Sequence, residues 1–415
     1  MDALNAFIGL GASVMMPIIF FILGVIVGVK PGKALKSGVL MGVGFEGIGI
    51  TCGLLLDGLT PMANGIVDRL GLNLTIMDMG WPVAAQIGWG TAIVPFAVIG
   101  AIVINLVFLA FKWTNIVNVD IYNFNHFMIS GAIIWAATGS LTIGLIGCLF
   151  IYTLSLIWGG IIAKTIVKDT GVENVTFVNI FAAGQAPIAI LVNAIVEKIP
   201  GLRDINLNAE SINKKFGVVG EPVIMGLIMG IILGFGAGFD LTTVLQLSIK
   251  VAAGMVLQPM MVGVLISGLE AIIEAMKETM ARKMPDREIY LALDVGMMIT
   301  DEVLAVGILL IPVALLFAVI LPGNQVLPLV DLSSLFWFVV MLRPFCKGNM
   351  FRMFLSGCVI LVISLYAAGD LAPVYTEAAI MAGVQLPEGS SLVSNLITGA
   401  TTVVSWVVTK VCMLF

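Results

Sequence analysis

Charge is what this chain has least of: 11% of its 415 residues are Asp, Glu, Lys or Arg, against 60% that are apolar, and the mean hydropathy is +1.12. A soluble domain carries about 25% charged residues to cover its surface, so a water-soluble fold is excluded. Histidine occurs once, as His126, and none of the five cysteines stands in a CxxC pair. Neither a disulfide framework nor a Cys/His metal centre is therefore expected, and no cofactor or metal is assigned. The P-loop and the Ser-His-Asp order are missing too, which leaves no self-contained catalytic motif. A net charge of −5 without any basic patch excludes nucleic acid as a partner.

What is present are apolar runs. Windows such as 7–29, 92–111, 141–163 and 217–236 are long enough to cross about 30 Å of hydrocarbon as helices. Forty-six Gly and 16 Pro lie among these runs, where a barrel would show short strictly alternating strands. Glycine lets helices approach closely, and proline breaks inside a membrane must line a protected cavity. The first run is longer than the core of a cleaved signal and follows Asp2 rather than a basic leader, so it reads as a retained helix. The expectation is an all-α polytopic protein of a bacterial inner membrane with about 11 crossings, near 7–29, 36–58, 91–111, 115–135, 139–163, 217–236, 244–266, 304–322, 326–342, 353–369 and 390–412.

A weak duplication runs through the chain. Met77-Asp78-Met79-Gly80 matches Leu293-Asp294-Val295-Gly296, Asn118-Val119-Asp120-Ile121 matches Leu329-Val330-Asp331-Leu332, and Gly147-Cys148 matches Gly357-Cys358, all in the same order. Matched loops differ in charge: Lys30, Lys33 and Lys36 answer to Asp240, and Lys164 and Lys168 answer to Asp370 and Glu377. Cytoplasmic loops are the ones rich in Lys and Arg, so the copies are expected to be inverted. This gives a first repeat at 1–163, a cytoplasmic or amphipathic connecting segment at 164–216, and a second repeat at 217–415. The N-terminus is placed outside, and the C-terminus with Lys410 in the cytoplasm. Residues 78–89 and 294–302 are too short and polar to cross, and read as re-entrant hairpin arms entering from opposite faces.

Polar groups at membrane depth are costly and mark candidate sites. One arm carries Asp294, Asp301 and Glu302, and its counterpart offers Asp78, Trp81 and Gln86. Carboxylates and an amide suit hydroxyl groups, and an indole suits the C–H face of a sugar or polyol. For Asp78 and Asp294 a second reading stands beside ligand contact, the capping of hairpin helices. Asp301 and Glu302 have no such excuse, and contact with the solute or a coupling ion is assigned to them. Gln185, in Ala-Gly-Gln-Ala-Pro, marks either a helix break or a surface loop, and Glu221, in Gly-Glu-Pro, marks a first-turn carboxylate or a hydroxyl ligand. His126 is assigned either to ligand contact or to packing.

The stretches Gly217-Val-Val-Gly-Glu-Pro-Val-Ile-Met-Gly226, Lys36-Ser-Gly-Val-Leu-Met-Gly-Val-Gly-Phe-Glu-Gly-Ile-Gly49 and Met77-Asp-Met-Gly-Trp-Pro-Val-Ala-Ala-Gln86 resemble the membrane IIC component of the galactitol-type phosphotransferase system, within the galactitol/ascorbate IIC superfamily. The resemblance spans nearly the whole chain. It implies 11 helices, a homodimer and an elevator motion of one domain against a fixed one. It also implies a polyol such as galactitol as solute, and separate IIA and phosphorylated IIB proteins as partners. The chain would then be the membrane part of a multi-subunit phosphotransferase. An ion-coupled secondary transporter of a sugar or polyol is the competing class, with the carboxylates holding a cation. A channel ranks third, because the polar groups converge on two hairpins rather than forming rings.

Single cysteines placed in 277–287 and 59–71 test the inverted arrangement. A membrane-impermeant thiol reagent applied outside intact cells should label the second segment only, and labelling of both from one face would end the two-fold reading.

Overall fold

The computed structural model describes residues 12–71, 74–118, 120–207, 222–283, 287–328, 330–384, 386 and 392–415. The chain is mostly helical. It opens with the antiparallel pair α1 (Ala12–Ile26) and α2 (Pro31–Leu70), followed by β1 (Ile76–Asp78), the short α3 (Gly80–Gly90), α4 (Val94–Ala110), β2 (Ile116–Asn118), α5 (Ile121–Thr138) and α6 (Leu141–Thr170). Then come β3 (Val175–Thr176), α7 (Ile180–Ala183) and α8 (Ala186–Val196). The order resumes with α9 (Pro222–Gly236), α10 (Leu241–Lys283), β4 (Tyr290–Ala292), a 3-10 turn (Val295–Met298) and α11 (Asp301–Ile320). It ends with β5 (Val326–Leu327), a second 3-10 turn (Asp331–Ser334), α12 (Phe336–Val339), α13 (Arg343–Cys346), α14 (Met350–Met381), β6 (Leu392–Ser394), a third 3-10 turn (Gly399–Thr401) and α15 (Val403–Cys412).

By length and composition, Leu141–Thr170, Glu302–Ile320 and Met350–Met381 are long and apolar enough to cross a membrane, and shorter apolar helices accompany them. The chain is an integral membrane protein. The longest helices, α2 and α10, run about 60 Å each and lie antiparallel. Glycine sets their separation. A Cβ added to Gly268 would lie 2.8 Å from the Ser37 carbonyl oxygen and 3.0 Å from the Met41 nitrogen, and one on Gly58 would meet Val251. The antiparallel register places Lys30, Lys33 and Lys36 beside the end of α10 that carries Lys277, Arg282 and Lys283.

The interior is built on two small parallel sheets of three strands, in the orders β5-β1-β6 and β2-β4-β3. Each takes its middle strand from one half of the chain and both flanking strands from the other. Their edges are tied to long helices in the same way: Thr176 donates its hydroxyl to the Gly159 carbonyl of α6, and Ser394 to the Ala368 carbonyl of α14. Within the segment 164–216, residues 175–186 pack in the core beside α6.

Two expectations are corrected. The stretch 326–342 is no continuous helix but a strand, a 3-10 turn and the four-residue helix α12, with α13 beyond it. Pro328 and Pro344 donate no N–H, and the Asp331 carboxylate captures backbone groups of other segments. The C-terminus does not share a side with Lys164 and Lys168. Cys412 packs against Gly147 near the start of α6, about 30 Å along that helix from Lys168, and α15 spans only ten residues. Lys410 gave a false signal because its ammonium is neutralised by Asp370, 2.8 Å away on α14.

The glycine contact is testable in detergent. Gly268→Ala should lower the melting temperature, with a cost of about 1–3 kcal/mol, since backbone atoms must move. Gly263→Ala, which meets nothing within 4 Å on the same helix, should be neutral or slightly stabilising.

Candidate functional site

Buried polar residues converge where the sheets end. Asp78 closes β1 and is fully buried; its Oδ1 accepts from Gly80 N at 3.0 Å and its Oδ2 from Asp331 N at 2.7 Å. Gly80 has φ +72°, which lets the chain fold back over the carboxylate before α3 begins. Asp331 in turn accepts from Trp81 N (3.2 Å), Asn395 Nδ2 (2.7 Å), Leu396 N (2.8 Å) and Ile397 N (2.8 Å). Four donors on one buried carboxylate fix the opening of α3, the 3-10 turn at 331–334 and the segment after β6 in one place.

The other sheet carries the related pair. Asn118 stands opposite Ala292 in the β2–β4 register, and two residues further Asp120 comes alongside Asp294, near enough for their charges to interact. Asp294 Oδ1 accepts from Gly296 N at 2.8 Å and Asp120 Oδ1 from Tyr122 N at 2.9 Å. The second oxygen of each is buried without a hydrogen-bond partner. His126 lies on α5, the helix that Asp120 caps, and touches the segment that Asp331 holds. Its Nδ1 accepts from Gly399 N at 2.9 Å, two residues beyond Ile397, and its ring stacks on Phe181 at 5.4 Å. Gly399 N donates to Nδ1, so the proton of a neutral ring sits on Nε2.

Along this connected path other buried polar atoms lack protein partners: both amide atoms of Asn125, Thr398 Oγ1, Asn395 Oδ1 and Thr300 Oγ1. Asn125 is 1% exposed and faces Gly88 of α3. A hydroxyl group both donates and accepts, so a polyhydroxylated solute matches such a mixed set better than a cation or an apolar ligand does.

The sequence-derived candidates divide. Asp294 caps the 3-10 turn at 295–298 rather than α11, and Asp78, one residue before the N-cap position of α3, accepts from Gly80 N. Trp81 lies half-buried at the start of α3 with its ring 5.6 Å from Tyr122. Gln185 is 2% exposed, in the break between α7 and α8, which answers the helix-break reading rather than the surface-loop one. Gln86 is on the exposed side of α3, apart from the buried path. Glu221 lies outside the described residues, as does the side chain of Asp301, the first residue of α11. Glu302 is corrected: it is compensated, with the Arg343 guanidinium Nε 3.9 Å from its Oε2, and Arg343 also binds Asp169 at the end of α6. The reading of Glu302 as a carboxylate without compensation therefore does not hold.

Sequence reasoning missed Asp120, Asp331, Asn125 and Arg343 as site residues. The signal for the first two was in the repeat itself, which aligned Asp120 with Asp331 just as it aligned Asp78 with Asp294.

A family model, EIIC-GAT, described as "PTS system sugar-specific permease component", matches residues 6–389. The chain is 35% identical over 387 residues to the galactitol-specific EIIC component of the PTS system of Escherichia coli K12, covering 92% of this chain and 85% of that protein. The corresponding protein of Escherichia coli O157:H7 matches equally. A second K12 protein, named as a permease IIC component, is 34% identical over 393 residues, covering 94% and 90%.

Asp331→Ala should cost about 3 kcal/mol or more, because it strands buried N–H donors from two other segments. Fluorescence-detected size exclusion should show a loss of folded protein. Asp370→Ala, at a half-exposed surface pair, should change little. Equal behaviour of the two variants would show that Asp331 is not the anchor.

Proposed function

Because this chain belongs to the family of sugar-specific permease components of the phosphotransferase system, we propose that it is the membrane IIC component for a polyol such as galactitol, delivering the solute to a separate phosphorylated IIB protein. The observation that carries the solute class is the buried path from Asp78 to Asp294, with its unpartnered amide, hydroxyl and carboxylate atoms. The solute contacts are assigned to Asn125, His126, Gln185 and Asp294, with Trp81 as the apolar wall. Asp78 acts mainly as a structural anchor.

The inverted-repeat reading draws support from the reciprocal strand exchange and from the antiparallel α2 and α10. On this reading the body that holds both sheets moves as a unit against the long-helix scaffold, exposing the solute alternately to each side, as an elevator does. Basic residues identify the cytoplasmic end. Arg287 donates to the Leu109 and Thr114 carbonyl oxygens and so joins the end of α10 to the Lys112 loop. Arg343 joins α13 to the end of α6 with Lys164 and Lys168. Such clustering of Lys and Arg at one end is the positive-inside pattern. The IIB protein docks at this end, and a homodimer is the proposed assembly.

Uptake of labelled galactitol into membrane vesicles from cells lacking the soluble phosphotransferase proteins separates this reading from an ion-coupled carrier. Labelled hexitol phosphate should accumulate only when the soluble proteins and phosphoenolpyruvate are supplied. Uptake of unmodified galactitol driven by a proton or sodium gradient alone would replace the proposal with the carrier.

A further inference from the structure

At the cytoplasmic end stands an arginine that, among the described contacts, hydrogen-bonds through a single nitrogen. Arg343 is 26% exposed and lies between Asp169 (15%) at the end of α6 and Glu302 (21%) in the first turn of α11. Its Nη1 is committed to Asp169. Its Nε–H is buried without a hydrogen-bond partner, since Glu302 Oε2 at 3.9 Å is beyond bonding distance. Nε and Nη2 form the side-on fork of a guanidinium, with two parallel N–H groups spaced for two oxygens of one anion. Among the described contacts that fork is free. Arg352 makes a useful contrast. Its Nε–H is also unpartnered, but its Nη1 binds Glu197 and its Nη2 donates to the Arg203 carbonyl oxygen, so no fork is left.

Resting on the reading of the chain as a phosphotransferase permease, we infer that the Nε/Nη2 fork of Arg343 is a binding site for a phosphate monoester dianion, the phosphate of the product, at the cytoplasmic mouth of the site. The nearby Glu302 occupies the neighbourhood of the fork without closing on it. A dianion outcompetes this single carboxylate, accepts both N–H groups and displaces Glu302 from the guanidinium. Glu302 belongs to the first turn of α11, so product formation is thereby coupled to the opening of the second hairpin arm. Asp169 keeps the guanidinium oriented during the exchange.

Calorimetry on the purified full-length chain in detergent at low salt tests this with three probes: galactitol, galactitol 1-phosphate and inorganic phosphate. Arg343→Lys keeps the charge but has no fork, and should weaken both phosphate probes by about tenfold or more relative to galactitol. Glu302→Gln removes the competing charge and should tighten both several-fold. Arg352→Lys should leave the ratio unchanged. Opposite shifts for Arg343→Lys and Glu302→Gln cannot arise from general loss of folding. An unchanged ratio in Arg343→Lys, shifts of the same sign in the two variants, or no phosphate binding by the parent chain overturns the inference. Tighter binding of the ester than of inorganic phosphate supports it with the product as source, and equal binding supports it with a site that reads phosphate alone, as presented by a phosphoryl donor. The inorganic phosphate titration needs no polyol, so a lack of galactitol binding beside an intact Arg343 effect would sink the proposed solute and leave the arginine site standing.

Discussion

A peptide group that leaves a helix inside a membrane has no water to bond with, and each one left unpaired costs several kcal/mol. The rest of this structure depends on how that debt is met. The chain breaks its helices at 76–79, 116–120, 175–179, 290–300, 326–334 and 392–402. The four-residue helices α7, α12 and α13 and the 3-10 turns in and beside these breaks are too short to stabilise themselves. Two three-stranded sheets take up part of the exposed backbone, and side chains take up the rest. Asp331 gathers three backbone N–H groups, Asn123 accepts from Ile180 N, Asn179 caps α7, and Thr376 bonds both the N–H and the carbonyl of Val393. The polar residues that composition makes so rare are therefore concentrated where the backbone is irregular.

That concentration explains what could be read in advance. Membrane residence and helical class follow from composition, because no other solvent accepts such a surface. The local turns at Asp78 and Asp294 and the helix break at Gln185 followed from local chemistry, since Asx turns and Gly/Pro punctuation are set within a few residues. Illegible were interactions set by partners far along the chain. Glu302 and Arg343 are 41 positions apart and meet only after α11 and the broken segment behind it are placed; Asp78 and Asp331 meet across 253. The expected crossing at 326–342 failed for the same reason. Its hydropathy is that of a buried segment, and hydropathy cannot distinguish burial in lipid from burial in protein. Lys410 shows the limit of counting charges, for a lysine paired with Asp370 carries little of the signal that a free one does.

The two carboxylate pairs show how one arrangement can serve two ends. Each sits where a strand from one half of the chain is carried into a sheet of the other. Around Asp78 and Asp331 nearly every oxygen is committed to a donor, so moving either residue disturbs several segments at once, and that end is rigid. Around Asp120 and Asp294 one oxygen of each is left over, and the Thr300 hydroxyl before α11 is likewise uncommitted. A site needs this division. A solute that trades its water for protein must find groups not already satisfied, yet those groups must be held still by others that are.

Sugar-like solutes make that requirement strict. Every hydroxyl stripped of water must be matched both as donor and as acceptor, so a lining of carboxylates alone would leave hydroxyl oxygens without donors. The amide of Asn125 and the hydroxyl of Thr398 supply what the aspartates lack, and His126 contributes a second nitrogen whose protonation is fixed by Gly399. Phosphorylation then changes the demand, since a dianion wants donors only. On the proposed reading the buried carboxylates offer none to it, while the basic end offers Arg343. On the same reading, this difference in lining between the buried site and the basic end would give movement a direction without an ion gradient. A solute suited to the middle becomes, once phosphorylated, suited to the exit.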